Sequence, residues 1–211
     1  MTHARGLQMV TSSVDLWKIL YGPDRENSAE PTIEQYNAQP ELADMGRAGI
    51  VIGVSAFDDF FTRRFSECVV PVIKSGNANK PLIEFLGRCG LDVTAALALL
   101  TMERPYRRIR KLVDDGLERK TTQKFDTIDK LFKCLGLQTL SADVETETSR
   151  TTLKRSCEII IKRRHAIAHQ GDMNRQGNLT RLSYKDVRKR LADIKLFVDT
   201  ANGIISDKTD A

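Results

Sequence analysis

MGRAGIVIGVSAFDDFFTRRF, residues 45–65, decides the fold. Ile50, Val54, Phe57 and Phe61 fall at i, i+4, i+7 and i+11, a continuous apolar stripe down one face of a helix. The spacing predicts a long helix over about 41–68. Two acids, Asp58 and Asp59, stand among its phenylalanines, and Asp58 lies one turn from both Val54 and Phe61, on the edge of the stripe.

Helical periodicity continues on both sides, and strand signals are scarce. Upstream, SVDLWKILYG predicts a short amphipathic helix at about 13–21, and GPDRENSAEPTIEQYNAQP reads as a polar linker punctuated by proline. Downstream of the loop KSGNANKP come four shorter helices: PLIEFLGRCG, DVTAALALLTME, PYRRIRKLVDDGLERK and KFDTIDKLFKCLG. Pro81 and Pro105 suit first-turn positions, and Gly90 and Gly136 suit C-terminal caps. A second long helix is expected over about 147–169, and a last one, with Ser183 as its N-cap, runs to about 206. The expected class is all-α, a helical bundle on two or three long helices plus shorter middle ones. Its domains are a short helix and acidic arm at 1–40, a helical domain at 41–206 and a disordered tail at 207–211.

At 211 residues, 41% hydrophobic and 29% charged, the chain can bury a sizeable core. No run approaches the ~18–20 apolar residues of a membrane span, and the N-terminus lacks the apolar core of a secretory signal, so a cytoplasmic protein is expected. Cys68, Cys89, Cys134 and Cys157 are far apart and form no C-x-x-C pair, which predicts buried free thiols. The net charge of +5 is unevenly spread: the first forty-odd residues lean acidic, whereas 104–111 and 154–195 are basic. A polyanionic partner is thereby permitted, not demanded.

The second long helix ends in CEIIIKRRHAIAHQGD, residues 157–172, which holds two of the three histidines. Gly171 sits where a helix terminus wants a left-handed residue, so His169 should lie in the final turn. Cations there also complement the helix dipole, by ~0.3–1 kcal/mol, and need no catalytic reason. Arg164 is harder to explain. It falls at i+4 from Ile160, inside its helix's own apolar stripe, where an unpaired guanidinium is costly. An Asp58–Arg164 ion pair would explain both misplaced charges. His165 and His169, at i and i+4, have the spacing of a helical ligand pair with Asp172 close by, but no H-E-x-x-H glutamate or further ligand accompanies them. No metal or other cofactor is expected, and His3 has no assigned role.

KRRHAIAHQGD resembles the signature of the HEPN superfamily: an arginine (Arg164), a polar follower (His165) and a histidine a few residues on (His169). The flanks are similar to the RiboL-PSP-HEPN branch. RAGIVIGVSAFDDFFTRRF resembles its first core helix, with Asp58 at a position often acidic, and LSYKDVRKRLADIKLFVDTANGII its closing helix. The likeness spans roughly 41–206, and its functionally specific part is the Arg–His motif.

The resemblance implies a metal-independent endoribonuclease that acts as a homodimer with a composite active site. Arg164 and His169 would be catalytic, supported by His165 and Asp58. RNA carries its own nucleophile, the 2′-hydroxyl, so cleavage needs only proton transfer and stabilisation of developing phosphorane charge. Imidazole and guanidinium supply those functions. Arg164 and His169 are ~140° apart around an ideal helix, so both reach one spot only if the arginine wraps round or the last turn loosens. Candidate RNA contacts are Arg163 and, on one face of PYRRIRKL and its flank, Arg104, Arg107, Arg108 and Lys111, which equally suit a solvated face. The implied setting is that of a toxin or effector in bacterial defence such as phage defence, with an inhibitory or activating protein partner. The alternatives are a non-catalytic module that binds RNA, nucleotide or a partner protein, and a helical scaffold whose histidines only cap a helix.

Overall fold

Among the described residues eight helices form because nearly every apolar stripe there has a helical period and an adequate stop signal. The computed structural model describes residues 40–118 and 122–209, so the expected helix at 13–21 and its linker lie outside the described residues. Among the described residues the elements are α1 (Pro40–Lys74), α2 (Lys80–Arg88), α3 (Val93–Leu99), α4 (Pro105–Leu117), α5 (Phe125–Lys133), α6 (Leu140–Glu147), α7 (Leu153–Gln170) and α8 (Tyr184–Thr209). No strand occurs among them; an isolated bridge joins Met173 and Leu179. The protein is all-α.

The chain divides into two units. Of the described residues, one comprises those up to Phe57 with Arg150–Asp199; the other comprises those of 58–149 and those from Thr200 on. In the first unit Ile50, Val54 and Phe57 from α1 are fully buried, as are Leu153, Cys157 and Ile160 of α7 and Ile194 and Phe197 of α8. The Phe57 and Phe197 rings lie 6.1 Å apart. Asp193, 3% exposed, is balanced there by Arg150 at 2.7 Å and by the Ser156 hydroxyl, as a buried carboxylate must be.

An aromatic cluster forms the core of the second unit. Phe65 meets Phe85 and Phe132 edge-on at 5.1 and 5.9 Å, and Phe61 meets Phe60 and Phe132 in the same manner at 5.0 and 5.9 Å. Edge-to-face geometry sets the positive rim of one ring against the negative face of the next, worth ~0.5–1.5 kcal/mol beyond area burial. Cys68, Cys134 and Cys157 are buried and Cys89 is half-buried, and none of them is in a disulfide.

Three boundaries differ from the sequence expectation. α1 runs through Pro71 to Lys74, because buried Val69 and Val72 keep the last turns packed despite the lost backbone bond. Ser149 adopts φ 53°, which separates α6 from α7 and makes the second long helix begin at Leu153 rather than near 147. α8 continues to Thr209, whose hydroxyl donates to the Ile205 carbonyl at 2.9 Å. The expected caps are in place: Gly90 and Gly136 have φ of 92° and 90°, and the Ser183 hydroxyl accepts the Asp186 amide.

Candidate active site at the end of α7

α7 stops because Gly171 enters the left-handed region at φ 60°, and Asp172 follows it there at φ 59°. Both amides turn back to the Ala166 carbonyl, which closes the helix one residue after His169 and Gln170. Aspartate is among the few residues that tolerate this conformation. The chain then folds into a small turn: Asp172 accepts from the Thr180 amide at 2.8 Å, and the Asn174 side chain accepts from the amides of Gln176 and Asn178.

Asp172 is the anchor of this region. Its carboxylate is 1% exposed and takes Arg47 Nε at 2.8 Å and an Arg163 terminal nitrogen at 2.7 Å, both on the same oxygen. Each arginine also donates to the Thr180 carbonyl, at 3.1 and 2.9 Å. Arg163 reaches the Arg181 carbonyl at 3.3 Å, and Arg47 reaches Asp44 at 3.2 Å. Asp172, Asp44 on Arg47 and the carbonyls of the following turn thus partner two guanidiniums, and Arg47 is itself only 6% exposed. A buried charge is tolerated on these terms: paired, with further hydrogen bonds to its remaining protons.

His165 and His169 are both exposed, one turn apart, with ring centroids 4.5 Å from each other. Arg164 is half-buried. Its Nε is buried without a hydrogen-bond partner, and the side chain forms no ion pair among the described residues.

Asp58, which the sequence pairs with Arg164, belongs to the second unit, and Arg164 to the first. Asp58 is occupied in its own unit, accepting the Thr122 amide at 2.6 Å, the Thr122 hydroxyl and Gln123 Nε2 at 3.0 Å. At the end of α7 the acid that meets an arginine is Asp172, and the arginine it holds is Arg163, the neighbour of the motif residue Arg164. Arg163 thus turns its guanidinium towards Asp172 and two backbone carbonyls. Arg104, Arg107, Arg108 and Lys111 are exposed at the start of α4, in the second unit. Arg47 was missed, although it sits three residues before Ile50, in register with the core stripe of α1.

Among the described residues no three His, Cys, Asp or Glu side chains cluster as metal ligands would. No helix among them is long and apolar enough to cross a membrane. Against known proteins, the RiboL-PSP-HEPN family model matches residues 24–207. No curated protein and no solved structure matches the chain.

Proposed function

The chain belongs to the RiboL-PSP-HEPN family, and from that premise we propose that it is a metal-independent endoribonuclease with Arg164 and His169 as its catalytic residues. One observation carries the reading. Two exposed imidazoles lie 4.5 Å apart on a helix end that is closed by consecutive left-handed residues and fastened by a buried carboxylate. A helix that merely needed a cap has no use for such a rigid mount.

In the proposed reaction His169 of one subunit takes the proton of the 2′-hydroxyl. The freed oxygen attacks the adjacent phosphorus. Arg164, whose guanidinium is in no ion pair among the described residues, stabilises the charge that accumulates on the phosphorane oxygens. His169 of a second subunit donates a proton to the departing 5′-oxygen, and the products are a 2′,3′-cyclic phosphate and a 5′-hydroxyl. Imidazole is the side chain whose unperturbed proton equilibrium lies near neutral pH, so one histidine type serves as base and as acid. His165 acts as a positioning residue through its ring contact with His169. The biological role that fits is a toxin or effector in defence, which a protein partner restrains or triggers.

The test is cleavage of end-labelled RNA in EDTA by the wild type and by His169→Ala. The expected result is metal-independent cleavage that falls by ~10²–10⁴-fold in the variant, the usual worth of a general acid–base group. Cleavage retained in His169→Ala would overturn the assignment. No cleavage by the wild type as a dimer would favour a non-catalytic binding module.

A further inference from the structure

The second unit carries a helix none of whose residues is buried and whose outer face is apolar. α3 spans seven residues, VTAALAL, and none of them is buried. Val93, Leu97 and Leu100 fall at i, i+4 and i+7 and are 76%, 60% and 80% exposed. Ile83 on α2 and Met102, just beyond α3, add further apolar surface at 60% and 44% exposure. Helices this short are unstable in isolation and normally owe their stability to an apolar face packed on something else. Here the local support is the Asp92 cap on the Ala95 amide. A contiguous apolar stripe in water marks an interaction surface.

What borders the stripe identifies the occupant. Between residues 83 and 115 lie Arg88, Arg104, Arg107, Arg108, Arg110 and Lys111, all exposed. None of their side chains enters an ion pair or hydrogen bond among the described residues. The acids of the same stretch are largely engaged. Glu84 faces Lys80 at 4.0 Å, Asp92 caps α3 and Asp114 accepts the Ser66 hydroxyl, while residues 104–111 hold five of these cations with no acid among them. α4 even begins badly: it has no side-chain cap and no acid in its first turn, while Arg107 and Arg108 oppose the dipole. Folding does not benefit from this arrangement.

We propose that α3, Ile83, Met102 and the α4 cations form a docking surface for an acidic amphipathic helix of a partner protein. The i, i+4, i+7 stripe is the natural ridge for a second helix to pack on, and the free cations are complementary to acids on that helix's flanks. A second copy of this chain is disfavoured as occupant. A twofold contact through this face would press the five cations of residues 104–111 against five more. A nucleic acid would use the cations and leave the aliphatic stripe in water.

The probe is a fluorescein-labelled peptide of about four helical turns, with leucines at i, i+3, i+4 and i+7 and glutamates elsewhere, beside a counterpart with lysines for the glutamates. The acidic peptide should bind with marked salt dependence, and the lysine peptide should not. Leu97→Asp with Leu100→Asp should weaken binding roughly tenfold or more. Arg107→Glu with Arg108→Glu should weaken it and flatten the salt slope. Because these side chains are exposed, the helical signal and melting of both variants serve as the folding control. The proposal is overturned if the acidic peptide does not bind or the lysine peptide binds equally. It is also overturned if Leu97→Asp with Leu100→Asp splits a homodimer, or if the α4 reversals change the salt slope for single-stranded RNA and not for the peptide.

Discussion

At the end of α7, Arg47 and Arg163 share the Asp172 carboxylate and the Thr180 carbonyl, with every contact between 2.7 and 3.1 Å. At the start of α4, Arg104, Arg107 and Arg108 carry the same guanidinium into water, with no acid on any of them among the described residues. The residue type is identical and the physical situation is opposite. Where the desolvation cost is met by a carboxylate, arginine serves architecture, in this case the mount for two histidines. Where the cation stays solvated, it contributes little to folding and remains available for another molecule.

The comparison is most easily broken at Asp172. Asp172→Ala should destabilise the protein by ~3–5 kcal/mol, because it removes the buried carboxylate that Arg47 and Arg163 share; urea unfolding measures it. A loss below about 1 kcal/mol would show that the two arginines do not depend on the carboxylate. Adding Arg47→Met to Asp172→Ala should recover part of the loss, with a coupling energy of ~0.5–3 kcal/mol in the double-mutant cycle. Strict additivity would argue against a shared lock. Gly171→Ala probes the same turn through the backbone alone. A Cβ there meets nothing within 4 Å, so the cost is that of a left-handed alanine, ~1–2 kcal/mol by the same unfolding measurement. The smallest effect belongs to α4. Arg107→Glu with Arg108→Glu should stabilise slightly, by up to ~0.5 kcal/mol, since acids suit a first turn that holds none. A loss of more than 1 kcal/mol would mean that these cations do hold the fold together.

Much of this architecture is legible in one dimension. Ile50, Val54, Phe57 and Phe61 announce the buried face of α1, and all four are fully buried. Gly171 announces the end of α7. The oddity of charge near the core was legible as well, but its resolution was not. Asp58 sits beside phenylalanines in sequence, yet Thr122 and Gln123, more than sixty residues on, satisfy it. Asp172 reads as a loop residue after a terminal glycine, and nothing local shows that Arg47, 125 residues away, will arrive at its carboxylate.

Period and punctuation follow from each residue's own geometry and its immediate neighbours, so the helical class, the placement of His169 in a last turn and the family motif could all be read before any fold was known. Pairing could not. Which carboxylate meets which guanidinium depends on the positions of side chains that chain closure brings together, and several acids and arginines compete for each partner. The same holds for α3, whose aliphatic residues read as ordinary core. That they face water follows from the packing around them, because the sequence records how apolar a stripe is and not whether another element is left to cover it.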